Sequence, residues 1–154
     1  MRLTQFADLA LRTLIFLALR DGQLSSIPQI ARAHRISENH LSKVVLKLGR
    51  EGFIETTRGR AGGIRLARAP AEIGLGDVVR RLEEDMAIVA CFPGGGTCVL
   101  TGRCGGRTII DEALGAFLGV LDRYSLEDLI VREGAKTARR LGLTRRSPRL
   151  PLAT

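Results

Sequence analysis

The sequence has no tryptophan, a single tyrosine and only 4% aromatic residues, although 45% of it is apolar. A core must therefore be filled with leucine, isoleucine, valine and alanine, which suits a helical protein. Long hydrophobic runs are also missing. The longest, Thr13 to Leu19, is shut between Arg12 and Arg20 with Asp8 one turn earlier. It is too short and too closely flanked by charge to span a bilayer or act as a secretion signal. The chain is thus expected to be cytoplasmic, with no membrane partner. Histidine is scarce, with His34 and His40 the only two. There is no C-x-x-C pair, no histidine near a cysteine and no phosphate-binding glycine loop, which disfavours a thiol or iron-sulfur enzyme.

Cysteine is sparse too, and all three fall in one stretch, Cys91, Cys98 and Cys104, spaced C-x6-C-x5-C. An odd count argues against a closed set of disulfides in a reducing compartment. Pro93 and the glycines Gly94, Gly95, Gly96 and Gly102 favour neither helix nor sheet, so the backbone can wrap and aim several sulfurs at one point. Thiolates are soft ligands that select zinc, copper(I) or iron-sulfur clusters. Three sulfurs leave one coordination position to be filled from elsewhere. The alternative is three unrelated, reduced thiols.

The 154 residues are expected to form one domain, or one with an appendage, and their net charge of +8 is unevenly spread. Residues 1–70 carry +7, residues 71–131 carry −5 and residues 132–154 carry +6. A basic first half joined to an acidic segment suggests a polyanion-binding module attached to something that must not bind the polyanion.

The basic half has the pattern of a helix-turn-helix. Thr4 is placed to cap a first helix running to about Arg20, apolar around nearly its whole circumference and hence buried between partners. Asp8 and Arg12 are spaced i,i+4 on its one polar stripe, the spacing of a simple ion pair. Ser26 and Gln29 fit a capping box for a short helix over Ile27 to Ala33, and Ser37 begins another that reaches about Arg50. In that third helix Leu41, Val44, Val45 and Leu48 make the inner stripe. Asn39, His40, Ser42 and Lys43 fall outside it, where a recognition helix meets base edges and phosphates in a DNA major groove. Two short β-like runs follow, Phe53 to Thr57 and Ile64 to Arg68, around a tip carrying Arg58 and Arg60 among glycines. Arginines on so bare a tip can approach a narrow minor groove. A hairpin in this place makes the module a winged helix.

The second half begins with a helix through Leu75, Val78, Val79 and Leu82, ends it at Glu83-Glu84-Asp85, and leads into the cysteine stretch. After Cys104, the residues Ile109, Ile110, Ala113, Leu114, Phe117, Leu118 and Leu121 form a broad apolar stripe. Little chain is left to cover it, so the stripe is expected to be buried against a second copy, giving a homodimer with two reading heads. Ser125 starts one last helical turn, and residues 132–154 read as a basic, mobile tail that either adds phosphate contacts or merely solubilises. The expected fold is mainly α with a small β wing: a winged helix-turn-helix DNA-binding module over 1–70, a cysteine cluster loop and long dimerisation helix over 71–131, and the tail over 132–154.

This combination resembles the Rrf-type family of bacterial winged-helix regulators, especially its nitric-oxide-sensing repressors. The resemblance covers about residues 1 to 131 and rests on Met1 to Thr4 with Asp8 and Arg12, on Ile36 to Val45, on Arg58 to Gly63, and on Cys91-Phe92 followed by two more cysteines. It implies a homodimer holding one 4Fe-4S cluster per subunit, ligated by Cys91, Cys98, Cys104 and, from the other chain, Asp8, with Arg12 orienting or neutralising that carboxylate. It implies a repressor that leaves its double-stranded DNA operator when nitric oxide nitrosylates the cluster. A related branch that governs cluster assembly uses a histidine soon after its third cysteine. Here Arg107 stands three residues on and no histidine follows His40, which favours the nitric-oxide-sensing branch. Two departures stand out: the first cysteine gap is one residue longer than the x5 of relatives, and the basic tail is not shared. Rival readings are a regulator of the same fold responding through iron-sulfur status, zinc or thiol oxidation, and a nonspecific nucleic-acid packaging protein.

Overall fold

A computed structural model of the chain describes residues 3–59, 62–83, 85–89, 98–100 and 103–143. The first helix, α1 (Gln5–Leu19), starts where Thr4 accepts a hydrogen bond from the amide of Ala7 at 3.2 Å. It stops at Asp21 and Gly22, both left-handed, with φ of 49° and 75°. In α2 (Ile27–His34) the capping box is complete: the Gln29 amide donates to Ser26 Oγ at 3.4 Å and the Ser26 amide to Gln29 Oε1 at 2.8 Å. Arg35, left-handed at φ 55°, turns the chain into α3 (Glu38–Arg50). Ser37 stands at the N-cap of α3 but makes no side-chain capping bond.

The hairpin pairs β1 (Ile54–Thr57) with β2 (Gly63–Leu66), antiparallel, with Ile54 opposite Leu66 and Thr57 opposite Gly63. The two strands are shorter than the expected runs. Ser25 adds a rung that the sequence reading did not foresee: its amide donates to Ile64 O at 2.9 Å and its carbonyl oxygen accepts from the Ile64 amide at 2.8 Å. The connection between α1 and α2 is thereby fastened to the base of the wing. Gly63 is needed for this approach, because a Cβ there would stand 2.9 Å from the Ser25 carbonyl oxygen.

Helix α1 runs through the middle of the core. Its Leu14 shares one cluster with Leu41 and Leu48 of α3, Phe53, Ile73, Val78 and Leu126, all essentially without exposure. Each such side chain contributes about 1.5–3 kcal/mol by leaving water, so these residues dominate the stability of the reading head. After a 3-10 turn at Pro70–Glu72 come α4 (Leu75–Leu82), α5 (Gly105–Leu121) and α6 (Leu126–Arg140).

The last helix differs from expectation. One turn was anticipated at Ser125, but α6 has 15 residues and lies against α1. Ser125 and Asp128 cap it as a box, with the Ser125 amide donating to Asp128 Oδ2 at 2.8 Å. Leu126, Ile130 and Leu141 face the core, and between them Gly134 is buried where α1 comes close, its missing Cβ only 3.3 Å from Leu19 Cδ2. A glycine in the apolar stripe breaks the visible period, which hid the helix in the sequence. The expected tail from residue 132 is thus helical as far as Arg140, and residues 144–154 lie outside the described residues. Among the described residues, no helix is long and apolar enough to cross a membrane.

Candidate DNA-reading face and thiolate site

Burial of Leu41, Val44, Val45 and Leu48 turns the other side of α3 outward, and Asn39, His40, Ser42 and Lys43 are all exposed there. The Ser42 hydroxyl donates to the Glu38 carbonyl at 2.8 Å. Its hydrogen is therefore spent on the helix, and only its oxygen lone pairs remain for a base or phosphate donor. Leu46 is 57% exposed on the same helix. Sequence reasoning passed over it, although its place outside the stripe of Leu41, Val44, Val45 and Leu48 was the available signal. An exposed methyl-bearing side chain there suits the 5-methyl group of thymine.

Arg58 is exposed at the end of β1, next to Gly59 with φ 110°. Arg60 lies outside the described residues. A cleft of about 440 Å³ is lined by Ser26 and Pro28 at the start of α2 and by Thr56, Thr57 and Arg58 of the wing. The amino end of α2 and the wing cation therefore open onto one surface, an arrangement that favours an anionic backbone.

Asp8 and Arg12 are joined on α1 by two bonds, Nη2 to Oδ2 at 2.7 Å and Nε to Oδ1 at 3.1 Å, with both side chains about half exposed. His34 packs nearby with its ring edge-on to Phe16 at 6.0 Å. Burial, then the Arg12 charge, push its pKa below the usual histidine value. The charged form of His34, the last residue of α2, is thereby disfavoured.

Of the three cysteines, Cys91 lies outside the described residues, Cys98 is half-buried, and Cys104 is exposed at the N-cap of α5 without a side-chain capping bond. Gly106 keeps room beside it, since a Cβ there would come within 3.3 Å of Cys104 Sγ. Soft donors of this kind, one of them at a helix amino end, fit a thiophilic metal or an iron-sulfur group. Among the described residues no three of histidine, cysteine, aspartate and glutamate gather into a metal-sized group. Asp8 is accordingly not brought together with Cys98 and Cys104 inside one chain.

Helix α5, which begins at Cys104, has no buried residue at all, and Ile109 is 68% exposed and Val120 44%. The approach to the cysteines is closely tied to the rest of the molecule. Glu83, at the carboxyl end of α4, accepts from the Thr4 amide at 2.7 Å and from the Thr4 hydroxyl at 3.2 Å, placing a carboxylate on the amino end of α1 one turn before Asp8. Beside this contact a cavity of about 460 Å³ is lined by Leu3, Glu83, Asp85, Met86, Leu114 and Phe117, among others. Arg80 makes two bonds of 2.6 Å with Asp122 beyond the end of α5, and holds that carboxyl below the usual aspartate value. Sequence reasoning missed these contacts of α4, because charged partners 42 and 79 positions apart leave no local pattern.

Residues 3–132 match the Rrf2 family, described as an iron-dependent transcriptional regulator. The HTH-type transcriptional regulator NsrR of Bacillus subtilis (strain 168) is 51% identical over 132 residues, which is 84% of this chain and 90% of that protein. The NsrR of Geobacillus kaustophilus is 54% identical over the same shares. Among solved structures, CymR, the global cysteine regulator of B. subtilis, superposes with a TM-score of 0.70 at 27% identity, over 86% of this chain and 98% of that one.

Proposed function

Because the chain belongs to the Rrf2 family of transcriptional regulators, we propose that it is a homodimeric repressor whose grip on an operator depends on a 4Fe-4S cluster that reacts with nitric oxide. The observation that carries this reading is α5: an apolar helix with no fully buried residue in its own chain and an exposed cysteine at its N-cap. Such a stripe is stable in water only when covered, and pairing with its counterpart brings the two cysteine segments and the two reading heads into one particle.

Cys91, Cys98 and Cys104 would hold the cluster, and Asp8 of the second chain would complete the set. When bound, the cluster supplies iron that nitric oxide attacks, at a site where one hard oxygen ligand among soft thiolates is the weaker bond. Arg12 then has two tasks. It pairs with Asp8 when that carboxylate is unengaged, and orients it when engaged. Asp8 stands on the helix at the centre of the reading head, so its engagement by a second chain would fix α1 and, with it, the spacing of the paired α3 helices. Asn39, His40, Ser42 and Lys43 would read the major groove, and Arg58 and Arg60 the minor groove beside it.

The test is anaerobic purification of the wild type, Cys104→Ser and Asp8→Ala, with iron, sulfide, visible spectrum and operator binding measured together. Brown wild type with a matching iron and sulfide content, and altered spectra with weakened operator binding in both variants, support the reading. Colourless wild type that still binds its operator fully rejects it, and zinc in place of iron favours the thiol-zinc rival.

A further inference from the structure

Helix α4 is the last described helix before the cysteine segment, and its final turn carries charged contacts to three other parts of the fold. Arg80 reaches Asp122, Glu83 reaches the start of α1, and Arg81 reaches the recognition helix. The surroundings of Arg81 are unusual. Its Nε bonds Asp77 Oδ1 on its own helix at 2.7 Å, while Nη1 stands 3.6 Å from Glu51 Oε2. Glu51 is the C-cap residue of α3 and also takes Lys47 Nζ at 2.9 Å. The same guanidinium lies 5.7 Å from the centre of the fully buried Phe53 ring, just beyond α3, and Arg68 lies at 5.4 Å from it. One cation is therefore divided between a tight pair within α4 and a loose pair at the end of the DNA-reading helix.

We propose that Arg81 is a positioning residue that conveys the placement of the last turn of α4, and so the state of the cysteine segment, to α3 through Glu51. This rests on the cysteines being the sensing site. Both carboxylates lie within ion-pair range of one guanidinium, so a movement of the last turn of α4 toward or away from α3 exchanges how far the cation leans on each. Lys47 and Glu51 sit in the final turn of α3, so the exchange alters how that turn is held without disturbing Leu41, Val44 or Leu48. Half-exposed pairs of this kind contribute little to folding, which leaves them free to report position.

The experiment uses full-length protein with and without its metal centre, comparing wild type with Arg81→Met, Arg81→Lys, Glu51→Gln and the double variant Arg81→Met with Glu51→Gln. The quantity read is the ratio of operator affinities, loaded over unloaded. Arg81→Met keeps the aliphatic cover on Phe53 but loses the charge. It and Glu51→Gln should each shrink the ratio by about threefold to fivefold, the double variant should shrink it no further, and Arg81→Lys should recover part of it. In unloaded protein, amide exchange at Gly49 to Glu51 should quicken in Arg81→Met. Equal losses in both forms with the ratio intact, or additive losses in the double variant, overturn the proposal. A wild-type ratio of one would instead reject the sensing role of the cysteines, and this proposal with it.

Discussion

Arg80 and Asp122 form a two-bonded fork, 2.6 Å on each side, across a point on α4 that carries no side chain. That point is Gly76, where a Cβ would stand 1.9 Å from Asp122 Oδ1 and 2.8 Å from Arg80 Nη1. The fork, with the Leu75 amide donating to Tyr124 O at 2.9 Å and the Leu126 amide to Ile73 O at 2.8 Å, fixes the turn between α5 and α6 onto α4. The long helix is thereby aimed by the element that leads into the cysteines.

A pH dependence follows from this fork. Bonds from Arg80 hold the Asp122 carboxyl below its ordinary value of 3.8. A carboxyl lowered in the folded state adds stability above its unfolded value, and that stability fades as pH falls through the lower folded value. Urea midpoints of wild type and Asp122→Asn should therefore differ at neutral pH and draw together as pH falls well below the ordinary aspartate value. A difference that persists undiminished into acid would mean that the carboxylate charge is not what holds the turn. Gly76→Ala should behave like Asp122→Asn, since the added methyl displaces the same two side chains.

The unexpected length of α6 makes Leu126 a core residue. It is fully buried at the first position of that helix. Leu126→Ala should cost about 2–5 kcal/mol in denaturant unfolding, by lost transfer energy and the cavity left behind. Val131→Ala, at a side chain 76% exposed, should change stability by no more than about 0.5 kcal/mol.

On the reading head, Asn39→Ala should weaken operator binding by about tenfold to a hundredfold and relax the base preference at one position, as loss of a two-bonded base contact does. Arg58→Ala should weaken binding to operator and scrambled duplex both, the operator more if its minor groove is narrow there, and lower the salt dependence of binding. Band-shift titrations at two salt concentrations, on operator and scrambled duplex, separate these outcomes. An Asn39 variant with wild-type preference would move base reading to another face of α3, and Leu46 is the first side chain to examine there.

The bare face of α5 makes a prediction about assembly. Ile109→Arg puts a charge on the exposed apolar stripe and should leave a monomer in sedimentation where the wild type, on the proposed pairing, sediments as a dimer, with operator affinity falling as the second half-site is lost. A dimer that persists would require another interface.

The clearest parts of the sequence were those written in short-range chemistry. Ser26 and Gln29 gave the capping box, the stripe of Leu41, Val44, Val45 and Leu48 gave the recognition helix, and the glycines after Thr57 gave the wing. The apolar residues from Ile109 to Leu121 likewise marked a helix in need of cover. What escaped was long-range or disguised. Gly134 interrupts the stripe of α6 because α1 passes too close for a larger side chain. Ser25 joins the wing through backbone bonds that any residue could make. Helix α4 was expected to run into Glu83-Glu84-Asp85, but it ends at Leu82, and Glu83 leaves it to cap α1 instead. At the candidate site, Asp8 and Arg12 pair as their spacing alone suggested, while Cys91 lies outside the described residues and Asp8 is not gathered with Cys98 and Cys104 among them.

The most direct measurement is a single anaerobic titration: operator affinity of the loaded wild-type protein as nitric oxide is added, with the visible spectrum followed in the same samples. Affinity should fall at least tenfold, about 1.4 kcal/mol, in step with bleaching of the cluster absorption. Complete bleaching with operator affinity unchanged would contradict the link between the cysteine segment and the reading head.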